Sequence, residues 1–277
     1  MNALNDMKVA ARERITSVDF KQSNMLQLVN SSRKGDSAVS HLIFQISPID
    51  EFRRLGECEF DIVSRWAFDR FMETYELHEA HMATTFFRQI SRAPEAASLW
   101  GHVFERQVLN RIDADGCDFR IRRLDSSKKT RWSCPGPIRR ANFLQKSDFI
   151  VKITKAIQEK QPLHLVPSVP NFPAIDSILY GPDKVLTCIR VTISTKHGIH
   201  VPGLGLLQSW LEHGTTLADL RPSVNNPWRF IFIVPPGKGS NFPLQPFEGD
   251  TSNDIWDRKA RQYVLELDVL GEKRGNV

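Results

Sequence analysis

A carboxylate set among isoleucines narrows what this chain can fold into. Asp176 closes the run Asn171-Phe-Pro-Ala-Ile-Asp176, with Ile178 two residues on. Burying such a group is expensive unless it is paired or binds a cation. The run reads as a strand over about 172–180. Gly181-Pro-Asp-Lys184 then carries turn chemistry, and a second strand rich in β-branched residues follows over about 185–195. In that second strand the period of two places Cys188, Arg190, Thr192, Ser194 and Lys196 on one face, and Ile189, Val191 and Ile193 on the other. Register decides whether Asp176 joins the polar row. An odd-numbered loop centred on Asp183 sets Asp176 opposite Arg190, whereas a two-residue loop sets it opposite Ile189 on the apolar side. The odd loop is expected, because it alone gives Asp176 partners.

The remaining elements are read in chain order. Residues 1–37 form a polar segment with a short helical pattern near 7–18 and a linker at Ser31–Ser37, which lacks the spacing of a phosphate-binding loop. Residues 38–92 read as a strand (His41–Ser47) and a helical extension, with helices over about 60–75 and 77–91. His78 and His81 stand three apart there without a third metal ligand in view. Residues 93–277 read as the main domain. It opens with a helix over about 95–112 whose apolar stripe is Ala97, Trp100, Phe104, Val108 and Ile112. Glu105 sits at the rim of that stripe. It either reaches the end of a sheet or pairs with Arg106 or Arg111.

After a turn at Asp113–Cys117, a basic strand over 118–124 puts Arg120 and Arg122 on one side and Arg123 on the other. Residues 125–140 read as a polar loop. It carries Lys128, Lys129, Arg131, Arg139 and Arg140, with Trp132 and Ile138 interleaved. That mixture suits phosphate contact and base stacking, and equally a solvated loop or hairpin. Residues 149–157 are a strand or a short helix, and 163–167 are extended. Leu204, Leu207 and Leu211 mark a helix over 203–213. Trp228–Val234 is the most apolar strand and belongs in the sheet centre. Ser252 or Asp254 caps a last helix, and 263–269 closes as a strand.

Composition adds limits. A net charge of +5 permits an anionic partner without requiring one. No apolar run is long enough to span a bilayer, and no secretory signal opens the chain, which suggests an intracellular protein. The four cysteines are scattered without a CxxC pair, which argues for buried thiols rather than zinc or redox motifs.

The ordered elements resemble the PD-(D/E)xK restriction-endonuclease-like core: a helix-borne acid, an Asp on one strand, and an acid or Gln with a Lys on the next. Ala96-Ala-Ser-Leu-Trp-Gly-His-Val-Phe-Glu105 is similar to the small-small-Ser-Leu-x-Gly-x-x-Phe-Glu helix of Crinkler effector proteins and retrotransposon hot spot proteins. Asn171–Asp176 with Arg190-Val-Thr-Ile-Ser-Thr-Lys-His197 resembles that family's Asp strand and its Gln-x-Thr-x-x-x-x-His strand. Phe230–Pro235 resembles its Phe-x-Phe-x-x-Pro strand.

The resemblance implies an α/β fold: a mixed sheet flanked by helices, with a restriction-endonuclease-like core and an N-terminal helical extension. It also implies a Mg²⁺-dependent DNA-cleaving hydrolase, with Glu105 and Asp176 on the metal and Lys196 orienting water or phosphate. Arg120, Arg122, Lys128, Lys129, Arg131, Arg139 and Arg140 would contact the nucleic acid. It further implies an effector delivered to a host cell, with a nuclear location, and a stand-alone or truncated module without the NTPase domain that usually precedes it. One position departs from the pattern. Arg190 stands where the family has Gln, and a guanidinium cannot ligate a metal. Arg190 either stabilises transition-state charge in an active nuclease, or neutralises the site of a nucleic-acid- or protein-binding module.

Overall fold

This computed structural model describes residues 44–48, 58–62, 68–69, 72–73, 87–88, 90–92, 97–126, 128–169, 172–212, 216–249 and 253–270. The chain divides into two compact units, Met1–Val103 and Phe104–Val277.

In the first unit, β1 (Phe44–Pro48) and β2 (Cys58–Ile62) pair antiparallel, with Phe44 opposite Ile62. The helix expected over 60–75 therefore starts later, because residues 60–62 complete a strand ladder. Helical residues follow at 68–69, 72–73, 87–88 and 90, and Phe68, Met72, Phe87 and Ile90 are buried. The polar helix near 7–18, the linker, and His78 and His81 lie outside the described residues.

The second unit is built on an eight-stranded mixed sheet. Its strands are β3 (Gly116–Arg123), β4 (Lys129–Pro135), β5 (Arg139–Phe143), β6 (Leu163–Pro167), β7 (Ser177–Tyr180), β8 (Leu186–Val191), β10 (Trp228–Val234) and β12 (Ala260–Glu266). The spatial order is β4-β3-β12-β10-β8-β7-β6-β5. β6, β7 and β8 form an antiparallel meander, while β8, β10 and β12 run parallel. β10 is central and its residues Phe230–Val234 are at most 1 % exposed, as its unbroken apolar run requires. A small parallel pair, β9 (Ile199–His200) with β11 (Phe247–Glu248), stands apart.

Among the described residues four α-helices accompany these strands: α1 (Ala97–Asp115), α2 (Lys146–Glu159), α3 (Val201–Leu211) and α4 (Asn253–Lys259). Segment 149–157 is thus helical. Phe149, Ile153 and Ala156 recur at helical spacing and are buried, and α2 ends where Lys160 turns left-handed (φ 53°) and donates back to Ala156 and Ile157. α2 and α3 pack on one sheet face. There Phe143, Phe149, Phe172 and Trp210 form an aromatic cluster with ring centroids 5.5–6.0 Å apart, alongside Ile178, Leu186, Cys188, Phe230 and Phe232. Gly203 on α3 lies where a Cβ would come within 2.6 Å of Pro173, so the helix meets the segment leading to β7 through backbone.

The C-terminal end of α1 is tied to the other face. Ile138 N–H donates to the Asp113 carbonyl at 2.7 Å, and Asp113 also holds His164 and Arg140. The expected turn at 113–117 is shorter than it read: α1 continues to Asp115, and Gly116 alone reverses the chain with φ +71°. A Cβ there would sit 2.3 Å from the Gly136 nitrogen, so two independent constraints select glycine. The polar loop expected over 125–140 is instead β4 and the start of β5. Trp132 and Ile138 face inward at 2 % and 4 % exposure, so neither offers a ring or side chain for base stacking.

Candidate functional site

The hairpin of β7 and β8 has Tyr180 opposite Leu186 and Ser177 opposite Ile189. The loop is therefore 181–185, centred on Asp183, and the register carried one step further sets Asp176 opposite Arg190. The ladder itself ends at Ser177, and two hydrogen bonds fix Asp176 just beyond it. Asp176 N–H donates to the Ile189 carbonyl at 2.9 Å, and Val191 N–H donates to Asp176 Oδ2 at 2.7 Å. Arg190 shares a face with Leu186 and Cys188, so its stem enters from the α3 side. Its Nη1 donates to Asp176 Oδ1 at 2.8 Å and its Nε donates to His197 Nε2 at 2.7 Å. Side-chain exposure is 23 % for Arg190 and 13 % for Asp176, so the pair lies at the border of the core.

The bond to His197 requires a neutral imidazole with its proton on Nδ1, since Nε2 accepts. Burial, and then the Arg190 charge, lower the His197 pKa to about 4, consistent with that tautomer. The His197 backbone is pinned as well: its N–H donates to Gln245 Oε1 at 2.6 Å. Gln245 Nε2 in turn reaches the Thr195 and Pro243 carbonyls, and its backbone exchanges two bonds with the side chain of Gln262. Both glutamines are buried. His197, Gln245 and the Val191 N–H complete the site, and sequence reasoning did not place them there. The His of the Gln-x-Thr-x-x-x-x-His pattern was the one available signal.

Lys196 does not extend the polar row. β8 ends at Val191, and Thr192 Oγ1 accepts from Ser194 N–H at 3.0 Å, which turns the chain. Ser194 Oγ then accepts from Lys196 N–H and donates to its carbonyl. With the strand ended, alternation no longer aligns Lys196 with Arg190, and its side chain is exposed. Glu105 lies in α1, half-buried, within a run whose Phe104 and Val108 are fully buried.

The donor set does not fit Mg²⁺. A magnesium ion needs several oxygen ligands in near-octahedral array. Both Asp176 oxygens are already engaged, one by a fixed positive charge. Arg190 has no lone pair to offer, and His197 Nε2 is committed to Arg190. Among the described residues no group of three or more His, Cys, Asp or Glu is placed to hold a metal ion.

The cations expected to meet nucleic acid fall into two sets. Arg122 donates to the Gly239 and Phe242 carbonyls, Arg139 pairs with Glu159 at 3.6 Å, and Arg140 pairs with Asp113 at 2.5 Å. The charges of these three are thus engaged within the chain, Arg139 only through an exposed pair that contributes little. Arg120, Lys128, Lys129 and Arg131 are exposed on the β3–β4 hairpin. Arg131 makes a two-point pair with Asp118, which holds that carboxyl below its usual pKa.

A second polar cluster lies under α1. His164 is fully buried, with Nδ1 2.6 Å from Asp113 Oδ1. Burial lowers its pKa against the opposing pull of Asp113. Its Nε2 and the Ser177 hydroxyl have no hydrogen-bond partner among the described residues. Cys117, Cys134 and Cys188 are buried free thiols, as their scatter suggested. Burial pushes Cys134 up to about 11 and Cys188 up to about 12. No helix among the described residues is long and apolar enough to cross a membrane. Compared with protein-family models, curated proteins and solved structures, the chain matches none.

Proposed function

We propose that this chain is a nucleic-acid-binding module with a restriction-endonuclease-like core, in which Arg190 takes the charge-neutralising place that a metal ion would hold in a nuclease. One observation carries the reading: the Arg190 guanidinium lies 2.8 Å from Asp176 Oδ1 and is locked there by His197. A single carboxylate facing a single guanidinium is neutral, and added Mg²⁺ would have to displace a charge that cannot be deprotonated. The adjacency of the Asp176 and Arg190 strands supports the Crinkler-like and hot-spot-like resemblance, as does the apolar strand β10 beside them. The exposed cations of the β3–β4 hairpin support an anionic partner.

The test measures nucleic-acid binding and cleavage in parallel, with Mg²⁺ and with EDTA. Binding that is indifferent to EDTA, with no cleavage, is expected. Mg²⁺-dependent strand cleavage that disappears in Asp176→Asn and Glu105→Gln would overturn the reading and restore the nuclease, with Glu105 and Asp176 as metal ligands.

A further inference from the structure

We infer that the β3–β4 hairpin is a two-stranded ribbon that docks B-form double-stranded DNA by its outer face. The inference rests on the nucleic-acid-binding reading above and names the form of nucleic acid. β3 pairs with β12 only at Arg122 and Arg123, so Gly116–Ile121 pair with β4 alone. The two faces of this ribbon differ sharply. Cys117 and Ile121 of β3, with Trp132 and Cys134 of β4, point inward and are buried, and Phe119 lies half-buried against Trp132. Asp118, Arg120 and Arg122 alternate with them and face outward, opposite Ser133, Arg131 and Lys129.

The outer face therefore sets Arg120 directly across from Arg131, while exposed Lys129 stands across from Arg122, whose guanidinium is taken up by the Gly239 and Phe242 carbonyls. Like charges in directly opposed positions repel. Asp118 relieves one of them, by an exposed pair that contributes little. A polyanion running along the ribbon would meet the cations that remain, Arg120, Lys128 and Lys129. Its form follows from what the face lacks. Single-strand binding relies on aromatic rings for bases to stack on, and both hairpin aromatics lie on the inner face. A two-stranded ribbon fits the B-DNA major groove, whereas the A-form RNA major groove is too deep and narrow to admit it.

Arg120, Lys128 and Lys129 are the exposed hairpin cations with no ion pair among the described residues. Three phosphate contacts predict a slope of log affinity against log salt of about −2.7, so raising salt from about 50 to about 200 mM should weaken duplex binding about 40-fold. The experiment uses the full chain in EDTA and fluorescence anisotropy with duplex DNA, single-stranded DNA and duplex RNA of one sequence. The Arg120→Ala/Lys129→Ala variant should keep the melting temperature, since both side chains are exposed. Its loss over the same salt interval should shrink to about fourfold. Asp118→Ala frees Arg131 and should tighten binding while steepening the slope by about 0.9. A double variant with an unchanged slope overturns the ribbon as the contact, and so does weaker binding by Asp118→Ala. Tighter binding of single strands or of duplex RNA overturns the B-form duplex while leaving nucleic-acid binding intact. Binding to none of the three overturns both.

Discussion

Arg190→Met removes the guanidinium from Asp176 and His197 while keeping an unbranched apolar stem against Cys188 and the α3 side of the sheet. Removing one member of a fully buried ion pair costs about 3–5 kcal/mol, and an exposed pair contributes about 0–1 kcal/mol. With 13 % and 23 % of the two side chains exposed, the pair stands nearer the buried limit. Asp176 also keeps its bond from Val191 N–H, which spares it complete isolation. We therefore expect a loss of about 2–3 kcal/mol. For a unit the size of Phe104–Val277 that is a fall of roughly 5–10 °C in melting temperature.

Asp176→Asn keeps an acceptor for Val191 N–H but removes the charge, and should cost about 1–2 kcal/mol. The double variant should cost less than the sum, by about 1–2 kcal/mol, because neither charge is then left unpaired. Urea denaturation of the four proteins closes the cycle. Adding millimolar Mg²⁺ to the wild type should leave its midpoint unchanged. A single Arg190→Met variant as stable as the wild type, or a coupling of zero, would refute the pair as the neutralising element. A midpoint raised by Mg²⁺ would refute the exclusion of metal.

Two further predictions follow from local geometry. Free His takes up a proton near 6.5, whereas folded His197 does so near 4. Between those values the unfolded chain binds more protons, so this contribution is complete above pH 6.5 and is lost as pH falls toward 4. His197→Gln offers Arg190 an acceptor that cannot titrate, and its stability should fall less steeply across that window; parallel pH profiles of the two proteins would exclude His197 as the source. Gly116→Ala must hold φ +71° with its Cβ 2.3 Å from the Gly136 nitrogen, and should cost about 3 kcal/mol or more. Thermal melting checks it, and a loss under about 1 kcal/mol would mean that the reversal relaxes.

The β7–β8 hairpin was legible because its constraint is local. An odd loop around Asp183 and a carboxylate in need of a partner determine the register together, and both are visible in about twenty residues. β10 and α3 were legible for the same reason, one as an unbroken apolar run and the other as leucines at helical spacing. β4 was not. Its inward side chains are Trp132 and Cys134 alone, set among exposed Lys129, Thr130, Arg131 and Ser133, so the alternation is drowned by charge. Segment 149–157 was ambiguous because a short apolar run fits either period. Lys196 was misplaced because strand alternation was carried past Val191, where the Thr192 and Ser194 hydroxyls take over the backbone bonds. The Asp113–His164 contact joins residues 51 apart and the Gln245–His197 contact joins residues 48 apart, so neither leaves a local trace.

Position 190 matters because its guanidinium reaches the Asp176 carboxylate directly, just past the end of the β7–β8 ladder. A glutamine there would offer a neutral oxygen to a cation and leave Asp176 in need of positive charge. An arginine supplies that charge covalently, so the carboxylate is satisfied in the absence of any ion. The surroundings are built to the same end. Val191 N–H takes the second Asp176 oxygen, His197 stays neutral so that it can accept from Arg190 rather than repel it, and buried Gln245 fixes the His197 backbone. Together these contacts occupy both Asp176 oxygens and His197 Nε2, the lone pairs nearest the guanidinium. Building a metal site here would take more than Arg190→Gln, since His197 and Val191 would still be arranged around a guanidinium. Arg190→Gln alone should remain without Mg²⁺-dependent cleavage, and its gain by that single change would show that the surrounding shell is not committed to arginine.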